Sequence, residues 1–126
     1  MSEKVALVTG AARGIGLATT KLLIEQGWQV AMVDRDAEAL TEAAESLTHA
    51  FTFVCDVSSP DQVAAMMQAV VARSGRIDAL VNNAGIADFG PLEQTDFARW
   101  RRVMETNLDG VFLVSRAALD ALKQTR

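Results

Sequence analysis

The chain has 126 residues and a net charge of −4; half of its residues are hydrophobic and 22% are charged. That length suits a single domain able to bury a real core, and the acidic balance argues against nucleic acid as a general partner. One cysteine and one histidine do not make a metal-ligand set, and no apolar run approaches the length of a membrane span. The opening Met1-Ser2-Glu3-Lys4 lacks the apolar core of a signal peptide. The single Cys55 fits a reducing, cytoplasmic setting, where it reads as a buried and inert thiol.

Val5 to Val8 is an unbroken apolar run and predicts a strand buried on both faces. Gly10, Gly14 and Gly16 follow within one turn, and a helix is expected from about Gly14 to Gln26, with Ile15, Ala18, Leu22 and Leu23 on one face and Gly27 as its stop. Glycine is needed where the chain turns sharply and where backbone must lie against a ligand. The helix start then presents free N–H groups and a positive dipole end, a place that suits a pyrophosphate. A P-loop is disfavoured, because Leu17 follows Gly16 where that motif needs Lys and Ser/Thr.

Trp28 to Val33 reads as a second buried strand ending in Asp34-Arg35-Asp36, and Ala37 to Ser46 as a helix. His49 falls in a turn before a third strand, Ala50 to Cys55, which Asp56-Val57 closes. Ser59 as N-cap and Pro60 at the first helical position start a helix to about Ser74, with Val63, Met66, Met67 and Val70 inward and Gly75 at its end. Ile77 to Val81 forms a fourth strand, followed by Asn82-Asn83-Ala84-Gly85 and a loop from Ile86 to Gln94. Thr95 or Asp96 then caps a long helix to about Lys123, with Trp100, Val103, Met104, Asn107, Leu108, Val111 and Phe112 on its inner side. Arg99, Arg101 and Arg102 read as the solvated face of that helix rather than a phosphate patch.

Strands alternating with helices predict an α/β fold, a parallel sheet covered on both faces. Such sheets take ligands beyond the carboxyl ends of their strands. Four polar or glycine-rich segments stand there: Thr9 to Gly16, Asp34-Arg35, Asp56-Val57 and Asn82 to Gly85. They should converge on one crevice.

Four motifs, Thr9-Gly10-x-x-x-Gly14-Ile15-Gly16, Asp56-Val57, Asn82-Asn83-Ala84-Gly85 and Thr106-Asn107-Leu108, stand in this order along the chain. With them the chain resembles the short-chain dehydrogenase/reductase family over essentially its whole length. The resemblance implies a Rossmann-type doubly wound parallel sheet, here with the partial strand order 3-2-1-4, and an NAD(P) cofactor. It implies that Gly10, Arg13, Gly14, Ile15 and Gly16 hold the adenosine and pyrophosphate. Asp34 would accept from the adenine-ribose hydroxyls and repel the extra phosphate of NADP, which favours NAD. Arg13 and Arg35 keep NADP open, since either can pair with a 2′-phosphate. Asp56 would meet the adenine amino group, Val57 would line its pocket, and Asn83, Ala84 and Gly85 would pass under the other ribose. Asn107 sits on the apolar side of a helix, where a buried amide needs partners. Spacing alone leaves open a neighbouring backbone group; the resemblance implies support of a proton relay.

The family's chemistry also needs a serine and a Tyr-x-x-x-Lys pair, and these 126 residues contain no tyrosine. Ser115 lies within the long helix and is no substitute. The expectation is therefore a single NAD(P)-binding domain over residues 1–126, truncated before those catalytic groups and inactive alone. The complete enzyme would move hydride between nicotinamide and a secondary alcohol or ketone. A stand-alone nucleotide-binding module, or a fragment without function, is the alternative. The fourth strand should form an exposed sheet edge, and the helix over about 96–123 should mediate homo-oligomer formation.

Overall fold

The computed structural model describes residues 3–126; Met1 and Ser2, part of the segment read above for a leader, lie outside the described residues. β1 (Val5–Thr9) is buried along its whole length, as an apolar run with helices on both sides requires. It pairs in parallel with β2 (Gln29–Asp34) and with β4 (Ala79–Val81), while β3 (Ala50–Val54) pairs in parallel with β2. The sheet order is therefore β3-β2-β1-β4, the one implied by the family resemblance.

Alternation along the strands divides the core. Val8, Val30 and Met32 face the layer that holds α1 (Gly14–Glu25) and α2 (Ala37–Ala44), with Leu40 as its buried anchor. Leu7, Ala31 and Val33 face the opposite layer, where α3 (Pro60–Ser74) contributes Val63, Met66, Met67 and Val70. Local signals set the helix ends. Ser59 Oγ accepts from Gln62 N, Pro60 opens α3, and Gly75 at φ 76° stops it. His49, exposed at φ 63°, makes the turn into β3. That strand stops at Val54, so Cys55 lies just beyond it, buried at the sheet's carboxyl end rather than inside the strand.

The long helix differs from expectation. α4 (Phe97–Met104), capped by Asp96, runs into a π-helical turn (Glu105–Asp109) before α5 (Gly110–Gln124). The residues that reach the core are Thr106, Gly110, Val114 and Ala118. Trp100, Leu108 and Phe112, placed inward by their spacing, are 53%, 59% and 58% exposed, and Asn107 is exposed with them. Close approach explains the inversion: a Cβ on Gly110 would lie 2.7 Å from Val57 Cγ2, so only small residues fit there. The bulkier apolar side turns away, and the wider π turn re-phases the helix to allow it. β4 is half-buried at the edge of the sheet.

Asp78 ties the base of the sheet together. Its carboxylate accepts from Val5 N at 2.9 Å and from Arg76 Nε and Nη2 at 2.8 and 2.6 Å. The Arg76 guanidinium, above all, holds this carboxyl below its usual 3.8. A carboxyl depressed by folding stabilises above its unfolded value and loses that contribution as pH falls through the folded one. Asp78→Asn should lower the Tm at pH 7 by about 3–6 °C, and the deficit should shrink below pH 4; an equal deficit at pH 3 in thermal melts would contradict this.

Candidate functional site

The turn after β1 is built by close backbone packing. Gly10 (φ 65°) and Gly14 (φ 57°) take the left-handed conformation that glycine adopts without penalty. A Cβ on Gly10 would lie 2.9 Å from Ala84 Cα, and one on Gly16 would lie 2.1 Å from the Gly10 carbonyl oxygen. The turn is stitched to the end of β4 by buried Thr9, whose Oγ1 accepts from Asn83 N and Ala84 N at 3.0 Å each. Asn83 Nδ2 returns a hydrogen bond to the Gly10 carbonyl at 3.1 Å. Thr9 opens the glycine motif expected at this crevice, and its hydrogen bonds to β4 are what the sequence does not show. The available signal was a hydroxyl ending an apolar buried run, which must find partners.

The start of α1 is the open one. α2, α3 and α4 each have a side-chain cap, from Asp36, Ser59 and Asp96. α1 follows Arg13 with no side-chain cap and no acidic residue in its first turn. Its first N–H groups and positive dipole end therefore remain available for an anion.

Asp34, at the end of β2, is held rigidly. Its Oδ2 accepts from Ala12 N at 3.1 Å and its Oδ1 from Asp36 N at 3.0 Å. Arg13 pairs with Asp36 at 2.5 Å. The Asp36 carboxyl is lowered by the Ala39 N–H first and by Arg13 second. Arg35 is exposed and, among the described residues, forms no ion pair. Asp56 Oδ1 accepts from Ser58 N at 3.0 Å and Ser58 Oγ at 2.7 Å, which fixes the carboxylate beside Val57.

These segments enclose a crevice of about 360 Å³ at the carboxyl end of the sheet. Gly10, Arg13, Ile15, Asp34, Arg35, Asp56, Val57, Asn83, Ala84 and Gly85 all line it. Gly14 and Gly16 shape the turn behind the lining, and Asn107 is also off the surface of the crevice. Val33, Cys55, Ile86 and Thr106 line it without having been expected there. Burial, and then the Asp56 charge, push the Cys55 thiol up to about 11. It stays neutral and contributes apolar wall.

Asn107 is corrected from a buried amide to an exposed clamp. Its Oδ1 accepts from Ile86 N at 2.8 Å and its Nδ2 donates to Ile86 O at 2.9 Å. A neighbouring backbone satisfies it, one of the two readings its spacing left open. The loop beyond is held at a second point, where Arg99 Nε and Nη2 donate to Asp88 at 3.0 and 2.5 Å and Arg102 adds a longer contact. Arg99, foremost, depresses the Asp88 carboxyl. Arg99, with Arg102, thus anchors the loop, while Arg101 pairs along its own helix with Glu105 and Asp109 and Arg102 stays largely solvated, as the spacing implied.

A parallel sheet whose glycine turn, open helix start and strand-end carboxylate share one crevice defines a dinucleotide-binding α/β protein. The profile of the short chain dehydrogenases matches residues 4–126, and the chain belongs to that family. It is 45% identical over 122 residues to cis-4-hydroxycyclohexanecarboxylate dehydrogenase of Sinomonas cyclohexanicum, covering 94% of this chain and 49% of that protein. It is 42% identical to D-threitol dehydrogenase of Mycolicibacterium smegmatis, covering 93% of this chain and 46% of that one. A crystal structure of 3-ketoacyl-(acyl-carrier-protein) reductase from Brucella melitensis complexed with NADH superposes with a TM-score of 0.92 at 32% identity, over 98% of this chain and 52% of the other. The chain spans about half the length of the curated relatives it matches. Among the described residues no helix is long and apolar enough to cross a membrane.

Proposed function

We propose that these residues form the cofactor-binding half of an NAD(P)-dependent oxidoreductase and that the crevice takes NAD in preference to NADP. The observation that carries this reading is the uncapped start of α1 facing the same crevice as the rigid Asp34 carboxylate. Close packing of Gly10 against Ala84 and of Gly16 against the Gly10 carbonyl fixes the turn, so that its backbone can lie against a pyrophosphate. Asp34 is the acceptor for the adenine-ribose hydroxyls, and its charge disfavours a 2′-phosphate. Arg13, already paired with Asp36, is not offered to that phosphate, while Arg35 is. Asp56 and Val57 serve the adenine, and Asn83 to Gly85 the ribose nearer the nicotinamide.

When bound, the nicotinamide supplies or accepts the hydride. The chain's own residues bind and orient it. Asn107, through Ile86, fixes the backbone beside Gly85 and is the proposed support of a proton relay. The acid/base itself must come from outside these residues, because none of the 126 is a tyrosine. This fits a single domain of which residues 1–126 are the N-terminal part, as the doubled length of the relatives supports. The substrate class is a small secondary alcohol or ketone, in line with the dehydrogenases named above. The exposed apolar side of α4 and α5, with Trp100, Leu108 and Phe112, is the proposed homo-oligomer surface. A lone buried cysteine is consistent with a cytoplasmic setting.

Calorimetric titration of the purified protein tests the reading. NAD+ and ADP-ribose should bind, and NADP+ should bind about tenfold more weakly, the factor that 1.4 kcal/mol of repulsion gives. Binding of none of the three overturns the assignment; tighter NADP+ binding overturns the preference.

A further inference from the structure

We propose that Arg99 is a positioning residue: its guanidinium is the core of the loop 86–94, and through that loop it fixes the Ile86 backbone to which Asn107 is clamped. The bearing of this on a proton relay rests on the cofactor reading above. The loop is built inside out. Phe89 and Leu92 are 92% and 86% exposed, so apolar burial does not hold it together. The side chains it screens from water are those of Asp88 and Arg99, 29% and 30% exposed.

One guanidinium grips both ends of the loop. Arg99 Nε and Nη2 donate to Asp88 Oδ2 and Oδ1 at 3.0 and 2.5 Å, and Nη1 donates to the Gln94 carbonyl at 3.0 Å. The chain bends around the group between those points, where a Cβ on Gly90 would lie 3.5 Å from Arg99 Nη2. Arg99 is itself fixed in the first turn of α4, its N–H donating to the Asp96 cap at 2.8 Å. Isolated surface ion pairs add little, but a bidentate fork on a carboxylate that also takes a carbonyl orders every group it joins. A lysine carries the charge without the fork.

Asp88 stands two residues after Ile86, whose N–H and carbonyl are both taken by Asn107. Gly85, just before, leaves little slack: a Cβ there would lie 3.3 Å from Asn107 Oδ1. Arg99 in α4 and Asn107 in the π turn therefore hold one short segment at neighbouring points. The Asn107 amide is exposed and bonded to a single backbone unit, so it keeps its place only while that backbone keeps its own. Arg99 supplies this constraint from outside the crevice, which it does not line.

The test is amide hydrogen exchange, read residue by residue by NMR on the ligand-free protein, so its outcome is separate from that of the NAD+ titration. Arg99→Met keeps the aliphatic stem and removes the fork; Arg99→Lys keeps the charge; Asn107→Ala sets the rate of a released Ile86 N–H. Arg99→Met should speed exchange at Ile86 about tenfold or more, toward the Asn107→Ala rate, and leave Leu7 and Val8 in β1 unchanged. Arg99→Lys should behave like Arg99→Met. Arg102→Met, which removes only the 3.4 Å contact to Asp88, should change Ile86 by less than about twofold. Unchanged exchange at Ile86 in Arg99→Met overturns the inference. So does an equal rise at Leu7 and Val8, which would mark general destabilisation, or full protection in Arg99→Lys.

Discussion

Gly16→Ala should weaken NAD+ binding by about 10–100-fold, since overpacking of this kind costs about 1–3 kcal/mol. The added Cβ would fall 2.1 Å from the Gly10 carbonyl oxygen and 2.6 Å from Asn83 Nδ2. The first of these is backbone and cannot rotate away. Relief must come from moving Gly10, which already lies under Ala84, or from breaking the bond between Asn83 Nδ2 and the Gly10 carbonyl. Either movement displaces the turn whose N–H groups face the anion. Gly27→Ala is the control: it meets nothing within 4 Å but takes a positive φ, 93°, far from the crevice. It should lower the Tm without changing NAD+ affinity. Equal affinities for Gly16→Ala and the unsubstituted protein in calorimetry would show that the ligand does not rest on this turn.

Asp34→Ser should narrow or invert the preference between the two cofactors. Hydrogen bonds to a charged group are worth about 1.5–3 kcal/mol, so NAD+ affinity should fall by about 10–100-fold. NADP+ should lose far less, because the carboxylate that opposes its phosphate is gone. Adding Asp36→Asn keeps a cap on α2, since asparagine caps as well as aspartate, and frees Arg13 from its partner. The double variant should then bind NADP+ more tightly than Asp34→Ser does. Because Asp34 also accepts from Ala12 N and Asp36 N, its loss lowers stability, and the informative quantity is the ratio of the two affinities at a temperature well below the Tm. A ratio that neither change moves would place the selection elsewhere.

The ends of the elements were legible because they depend on neighbours in the chain. Ser59, Pro60 and Gly75 bound α3 where they stand, and Gly27 follows α1 as its stop. The strands were legible because an apolar run between helical patterns has no other way to bury both faces. The strand-end segments of the site followed from the same logic, and ten of the residues expected to hold the cofactor do line one crevice. The π turn was not legible. A spacing argument assumes 3.6 residues per turn throughout, so it carried Asn107 and Leu108 inward with Trp100 and left Thr106 unnoticed. The partners of Thr9 and the Arg99–Asp88 anchor were not legible for another reason: they are 74 or 75 residues away for Thr9 and in a loop without a periodic pattern for Arg99.

The sequence by itself determined the strands, the glycine turn, the helix ends and the position of Asp34, because hydrophobic period, capping chemistry and glycine's conformational freedom act over a few residues. The tertiary structure alone decided which side of the long helix is buried and which arginine is already paired. Those outcomes depend on how closely separate segments approach one another. The 2.7 Å that Gly110 would leave between a Cβ and Val57 is a property of two elements more than fifty residues apart, and no local pattern in either one encodes it.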